Sequence, residues 1–158
     1  MVNEQLLKNV IKRIEREAAD DGWNQDVWGH LDLKADQASP GDAGLERKEF
    51  TNHFGTPFSA YTLSDMTSVS CGTSFCLAGH TILEAGESLI FSSDEDDAEV
   101  YSHLCLTQDG EIKHIQTRAA ELLGVPEFAN IFEPGYRGPE GLKAFKSVVE
   151  RETGVKLD

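Results

Sequence analysis

The sequence lacks long apolar runs and has few cysteines. No stretch of its 158 residues is apolar for long enough to span a bilayer. The first four residues lack the charged and then apolar layout of a signal peptide. We therefore expect a cytoplasmic protein that does not interact with membranes. Three cysteines without a secretory signal favour free thiols over a disulfide framework.

Basic residues are also scarce, with 14 lysines and arginines against 28 aspartates and glutamates and a net charge of −14. The excess of acid lies in residues 20–135, where 5 basic residues face 21 acidic ones, a balance of −16. This distribution disfavours direct binding to nucleic acid, because phosphate neutralisation needs a basic surface. Solubility explains the charge most simply, and contact with a basic protein surface is the alternative.

Apolar residues make up only 39% of the chain, below the usual share. The length predicts a single domain over residues 1–158 with a modest core and long polar loops. We expect a mainly α fold, with some α+β character: a compact helical domain that carries one small β-hairpin and loop insertions at about 30–65 and 87–111.

Amphipathic periodicity and glycine stops place the helices. The pattern predicts four helices, over 3–19, 73–86, 115–123 and 139–153. Thr73 caps the start of the second, and Gly86, Gly124 and Gly154 end the second, third and fourth. Pro126 suits the first turn of a short helix that ends near residue 132. Strand signals are a short apolar run at 89–91 and a hairpin from 101–107 to 112–115 with Asp-Gly at its turn.

The segment Cys71-Gly72-Thr73-Ser74-Phe75-Cys76-Leu77-Ala78-Gly79-His80 is the expected centre of the fold. Thr73 is a good N-cap, which places Cys76 in the first helical turn. Two adjoining apolar faces follow, one with Cys76 and His80 and one with Gly79, so the helix should be largely enclosed by protein. We interpret the motif residues Cys71, Gly72, Thr73, Cys76, Gly79 and His80 as structural.

Cys71, Cys76 and His80 also form the one cluster of soft metal ligands. A structural zinc site takes four ligands, and here a fourth would have to come from His53, His103 or Cys105. The first spacing is wide for zinc and no second cysteine pair exists, so we expect no metal and no cofactor. If a metal binds, Cys71, Cys76 and His80 are its ligands.

A thiol nucleophile is the other chemical interpretation of this cluster. A helix N-terminus would favour the Cys76 thiolate, and His80 lies one turn further on. No oxyanion loop, carboxylate pair or phosphate-binding loop accompanies them. We therefore expect no enzymatic activity.

Two further segments are candidate binding surfaces. The acidic block holds Asp94, Glu95, Asp96, Asp97 and Glu99, and is either a solvated loop or part of a mimic of nucleic-acid phosphates that docks on a basic host protein. Trp23 and Trp28 serve either as core anchors, the interpretation that we favour, or as an exposed aromatic contact.

Four pieces of the sequence form a recognisable set: the element from Trp23 to Trp28, the C-G-T-x-x-C-x-A-G-[HW] motif from Cys71 to His80, Ala120-Glu121-Leu122-Leu123-Gly124-Val125, and Ile131-Phe132. With them the chain resembles a family of small proteins of unknown function found in actinobacteriophages and some bacteria. The resemblance implies a phage accessory protein that acts in the host cytoplasm, and no particular chemistry.

Together these observations predict a small acidic accessory protein that binds and modulates a host or phage protein. A zinc-stabilised or thiol-based protein that uses Cys71, Cys76 and His80 is one alternative. An acidic nucleic-acid mimic that blocks a DNA-binding host protein is the other.

Overall fold

The fold is α+β, with four helices, a five-stranded antiparallel sheet and a two-stranded antiparallel ladder among the residues that the structure describes. The structure is a computed structural model that describes residues 2–18, 29–32, 45–51, 54–63, 76–92, 99–102, 104–127, 129–132 and 138–157. None of the helices in these ranges combines the length and the apolar character that crossing a membrane requires.

The helices are α1 (Glu4–Ala18), α2 (Leu77–Glu84), α3 (Ile115–Leu123) and α4 (Gly138–Thr153), with a 3-10 turn at Asn130–Phe132. The strands are β1 (Gly29–Asp32), β2 (Glu46–Thr51), β3 (Pro57–Leu63), β4 (Ser88–Ser92), β5 (Glu99–Ser102), β6 (Leu104–Leu106) and β7 (Ile112–His114). The sheet has the order β2-β3-β4-β6-β7, and β1 pairs with β5.

The prediction of a mainly α domain with one small hairpin is therefore wrong. The segments predicted as loop insertions hold strands β1, β2 and β3 between 29 and 63 and strand β5 at Glu99–Ser102. The strand predicted at 89–91 is confirmed as β4. Strand β2 has the sequence ERKEFT and is exposed at all positions except Phe50, which is partly buried. Its sequence shows no alternation of hydrophobic and polar residues. Its strand conformation comes instead from pairing with β3.

The helices predicted from amphipathic periodicity are confirmed. Helix α1 begins after Asn3, whose Oδ1 accepts a hydrogen bond from the Leu6 N–H at 3.2 Å. Helix α3 ends at Gly124 with φ +72°, and α4 ends before Gly154 with φ +74°. The expected short helix after Pro126 is only the 3-10 turn at Asn130–Phe132.

The hairpin with Asp-Gly at its turn is also confirmed, as β6 and β7 joined through Gly110 at φ +84°. The first arm was predicted as one strand over 101–107. Instead, β5 pairs with β1 and β6 pairs with both β4 and β7, so the chain changes partner between residues 102 and 104.

The core lies between the helices and the sheet. Helix α2 contacts α1 and α3 as well as β4, and α3 also contacts β6 and β7. The largest fully buried side chains include Leu7, Ile82, Phe91 and Phe145. These contacts place α2 at the centre of the described structure, as the sequence predicts.

Candidate functional site

Helix α2 is enclosed by protein along nearly its whole length. Every residue from Leu77 to Leu83 is buried, including Gly79 and His80. At its end, the Gly86 N–H donates to the Leu83 carbonyl at 3.1 Å and the Glu87 N–H to the Ile82 carbonyl at 3.1 Å. This pair of hydrogen bonds, with Gly86 at φ +81°, is a Schellman closure at the predicted glycine.

The start of α2 differs from the prediction. Cys76 is itself the N-cap, with extended backbone angles of φ −80° and ψ −177°, and its carbonyl accepts the His80 N–H at 3.0 Å. The sequence predicted Cys76 inside the first helical turn, and this prediction is wrong. The predicted N-cap Thr73 lies outside the described residues, as do Cys71 and Gly72.

The position of Cys76 opposes thiolate formation. Burial raises the pKa of its thiol to about 11, although the backbone N–H groups of Gly79 and Ala78 act in the opposite direction. His80 is fully buried, so its imidazole has no access to a solvent-borne substrate. The predicted thiol–imidazole pair thus has neither the ionisation nor the exposure that a nucleophilic site requires.

The structure brings together no metal ligands in the ranges that it describes. No group of three or more His, Cys, Asp or Glu side chains there is arranged to hold an ion. Of the three predicted zinc ligands, Cys76 and His80 are within those ranges and Cys71 is not.

We expect Cys76 and Cys105 to be unreactive in the folded protein. Burial, together with the nearby Glu87 carboxylate, raises the pKa of Cys105 to about 12. In a Cys71→Ser variant at pH 8, Ellman's reagent should therefore detect no thiol in the folded protein. It should detect two thiols per chain after the addition of guanidinium chloride. A thiol that reacts within seconds in the native Cys71→Ser protein would instead support the thiol-based function.

The remaining predicted site residues fall mostly outside the described ranges. Asp94, Glu95, Asp96 and Asp97 do so, and so do Trp23 and Trp28. Glu99 begins β5, where it is the backbone partner of Asp32 in β1. The two interpretations of the acidic block and of the two tryptophans stay predictions.

A buried ion pair that the sequence analysis missed lies next to the end of α2. The Glu87 side chain is 1% exposed and Arg118 in α3 is 20% exposed. Arg118 donates from Nε to Glu87 Oε1 at 2.9 Å and from Nη2 to Oε2 at 2.6 Å, and the Gln108 N–H donates to Oε2 at 3.2 Å. This network ties α2, the β6–β7 turn and α3 together.

The ionisation of Glu87 reflects these contacts. Burial by itself disfavours the carboxylate, but the hydrogen bonds from Arg118 and Gln108 and the charges of Arg118 and Lys113 outweigh it and lower the pKa of Glu87. The only local sign of this ion pair in the sequence was a glutamate directly after Gly86, where α2 ends. Its partner Arg118 is 31 residues away in the chain, so the sequence did not reveal the pair. We interpret the pair as structural, because both its charges are satisfied within the protein.

The far end of the β2–β3 hairpin carries a cluster of aromatic side chains. We call Phe50, Phe54 and Phe58 the aromatic tip. Phe50 and Phe58 are cross-strand partners whose rings stack with centroids 5.5 Å apart. Phe54, in the connecting turn, is 82% exposed and is the exposed large hydrophobic residue of the described chain.

The aromatic tip extends past the rest of the sheet. Strand β4 pairs with β3 only from Ala60 to Leu63, where β3 is buried. Residues 57–59 of β3 lie beyond that pairing and are exposed or partly buried, as are their partners in β2. In the described structure the hairpin is thus a two-stranded arm with apolar side chains at its end.

Comparison with protein-family models, with curated proteins and with solved structures finds no match to this chain. The geometry of the described residues is therefore the basis for proposing a function.

Proposed function

We propose that this protein acts by binding another protein and that the aromatic tip is its contact surface. The observation that carries the proposal is the 82% exposure of Phe54, which lies four residues from each member of the stacked, partly buried pair Phe50 and Phe58. An exposed aromatic ring on an arm that carries further apolar surface is a candidate interaction site. Aromatic side chains also supply a large share of the binding energy in protein interfaces.

The position of the tip suits insertion into a pocket. The arm extends beyond β4, so a partner could enclose the three rings without contacting the core of the sheet. The stacked pair restricts two of the rings before binding, which lowers the entropy that binding has to overcome. The partner should therefore offer an apolar pocket large enough to enclose the three rings.

Charge narrows the class of partner. The net charge of −14 repels the anionic surface of a membrane and favours approach to a protein with net positive charge. The arm itself is locally balanced, with Glu46, Arg47, Lys48 and Glu49 preceding the tip. We therefore assign long-range attraction to the whole chain and short-range binding to the aromatic tip.

This proposal agrees with the accessory role in a host cytoplasm that the family resemblance implies. A host or phage protein with a basic surface and an apolar pocket fits both. The buried thiols of Cys76 and Cys105 disfavour the thiol-based alternative, since neither is positioned to react.

The test begins with a photo-crosslinking phenylalanine analogue at position 54, exposed to an actinobacterial cell lysate. The same analogue at Lys12, an exposed position on α1, is the matched control. We expect one covalent partner from position 54 that is absent from the control. With that partner purified, Phe54→Ser should weaken its Kd by roughly 30-fold, as expected for loss of an aromatic anchor worth about 2 kcal/mol.

Phe54→Tyr, which retains the ring, should bind within about threefold of the wild type. Because Phe54 is exposed, the melting temperatures of both variants should match that of the wild type. Raising the salt concentration should slow association of all three proteins equally. Unchanged affinity of Phe54→Ser for the crosslinked partner would contradict the proposal.

A further inference from the structure

A cleft of about 340 Å³ lies where α3 and α4 both end, away from the aromatic tip. Its volume is within the range of small-molecule sites, which begin near 300 Å³. Its lining comes from the start of the chain, the end of α3, the segment leading to the 3-10 turn and the last turn of α4. These residues are Val2, Gly124, Val125, Pro126, Ala129, Asn130, Ile131, Glu152 and Thr153.

The walls of the cleft combine apolar and polar surface in nearly equal parts, and one of the lining side chains, Glu152, is charged. Glu152 accepts a hydrogen bond from Asn130 Nδ2 through Oε1 at 2.8 Å, and the guanidinium of Arg151 lies 3.7 Å from the same oxygen. Glu152 is 31% exposed, whereas Arg151 is 69% exposed. A carboxylate can accept several hydrogen bonds, so Glu152 has capacity for a further donor.

The backbone adds negative potential to this carboxylate. Gly124 ends α3, and Glu152 and Thr153 belong to the last turn of α4, so two helix C-termini border the cleft. Each helix C-terminus carries a partial negative charge and stabilises a nearby cation. The Thr153 hydroxyl donates to the Val149 carbonyl at 2.6 Å and accepts from the Val155 N–H at 3.2 Å, which leaves it one further lone pair.

We propose that this cleft binds a small primary alkylammonium compound. Its ammonium group would donate to Glu152 next to the two helix ends, and its alkyl chain would lie against Val125, Pro126 and Ala129. The volume suits a small molecule, and the apolar side chains beside one anionic group match an amine on a short hydrocarbon chain. This site is independent of the aromatic tip.

The test titrates the ¹⁵N-labelled protein with n-hexylammonium, 1-hexanol and hexanoate and follows the amide shifts by NMR. We expect hexylammonium to bind about tenfold more tightly than hexanol, because only the ammonium forms a charge-assisted hydrogen bond, and hexanoate not to bind. The largest shifts should fall on Val125, Ala129, Ile131 and Glu152.

Two substitutions of the charged pair should act in opposite directions. Glu152→Gln should remove the tenfold preference for hexylammonium over hexanol, while Arg151→Gln should strengthen hexylammonium binding about twofold by removing the competing cation. Glu140→Gln makes the same change on an exposed residue at the other end of α4 and should have no effect. Ala129→Leu should abolish binding of both the amine and the alcohol by filling the cleft.

Several outcomes would overturn the proposal. They are equal affinity for hexylammonium and hexanol, loss of binding in Glu140→Gln to the same degree as in Glu152→Gln, or shifts spread over the acidic surface. Phe54→Ser should bind hexylammonium like the wild type, so this test and that of the aromatic tip can fail separately.

Discussion

Arg118→Met is expected to lower the free energy of unfolding at pH 7 by about 3 kcal/mol. The substitution leaves the Glu87 carboxylate, whose side chain is 1% exposed, without the guanidinium that holds it through two hydrogen bonds. An uncompensated buried charge is the costly product of such a change. Urea denaturation followed by circular dichroism measures the loss.

The matched control is Lys8→Met, which breaks the 2.9 Å ion pair between Lys8 and Glu4 on α1. Those two side chains are 39% and 61% exposed, so the cost should stay below about 0.5 kcal/mol. Similar losses from Lys8→Met and Arg118→Met would show that the buried network contributes no more than a surface pair.

The pH dependence provides a second readout of the same pair. The pKa of Glu87 is lowered in the folded protein, so its contribution is present above the unfolded carboxyl pKa of about 4.3 and is lost as the pH falls through the lower folded value. In Arg118→Met, burial should instead raise the pKa of Glu87 in the folded protein. The resulting loss in the free energy of unfolding disappears at a pH low enough to protonate Glu87 in both the folded and the unfolded protein. The stability gap between wild type and variant should therefore be largest at neutral pH and narrow below pH 4.

Phe91→Ala should lower the free energy of unfolding by about 3 to 5 kcal/mol. Phe91 is fully buried on β4, which is the central strand of the five-stranded sheet. Removing its ring leaves a cavity that the packed strands and helices cannot close. Since a domain is stable by only about 5 to 15 kcal/mol, this loss should clearly lower the urea concentration and the temperature at which the protein unfolds.

Phe54→Ala is the control for Phe91→Ala, because it removes the same side chain from a position that is 82% exposed. Its unfolding free energy should differ from that of the wild type by less than about 0.5 kcal/mol. This comparison also tests the assignment of β4 to the sheet, because a loop insertion would tolerate the loss of Phe91. Equal stability of the two variants would contradict the position of β4.

Phe54 of the aromatic tip is exposed, whereas the described motif residues in α2 are buried. The cysteine and histidine that dominate the sequence motif are enclosed by α1, α3 and the sheet. The candidate contact residue Phe54 lies in a segment, about 30–65, that the sequence analysis predicted as a loop insertion. The prominence of a motif in the sequence therefore did not indicate where the exposed apolar surface lies.

Strand β2 shows why the local pattern of hydrophobic residues led to the wrong prediction of a mainly α fold. Its charged and polar residues would suit a solvated loop equally well, and only the cross-strand bonds to β3 define it as a strand. Strand β3 is exposed at one end and buried on both faces at the other, so it has no period of two. The aromatic tip is a product of the same register, which places Phe50 opposite Phe58.

The sequence by itself determined the elements whose signals are local. The apolar stripe of Leu7, Val10, Ile11 and Ile14 set α1, the glycines at 86, 124 and 154 set three helix ends, and Asp109-Gly110 set the β6–β7 turn. Such signals act over one or two turns of chain, so one sequence suffices to find them. The tertiary structure alone decided the five-stranded order, the Glu87–Arg118 pair and the aromatic tip. Each of these depends on which distant segments become neighbours, and the energy that selects those neighbours comes from burial in the common core.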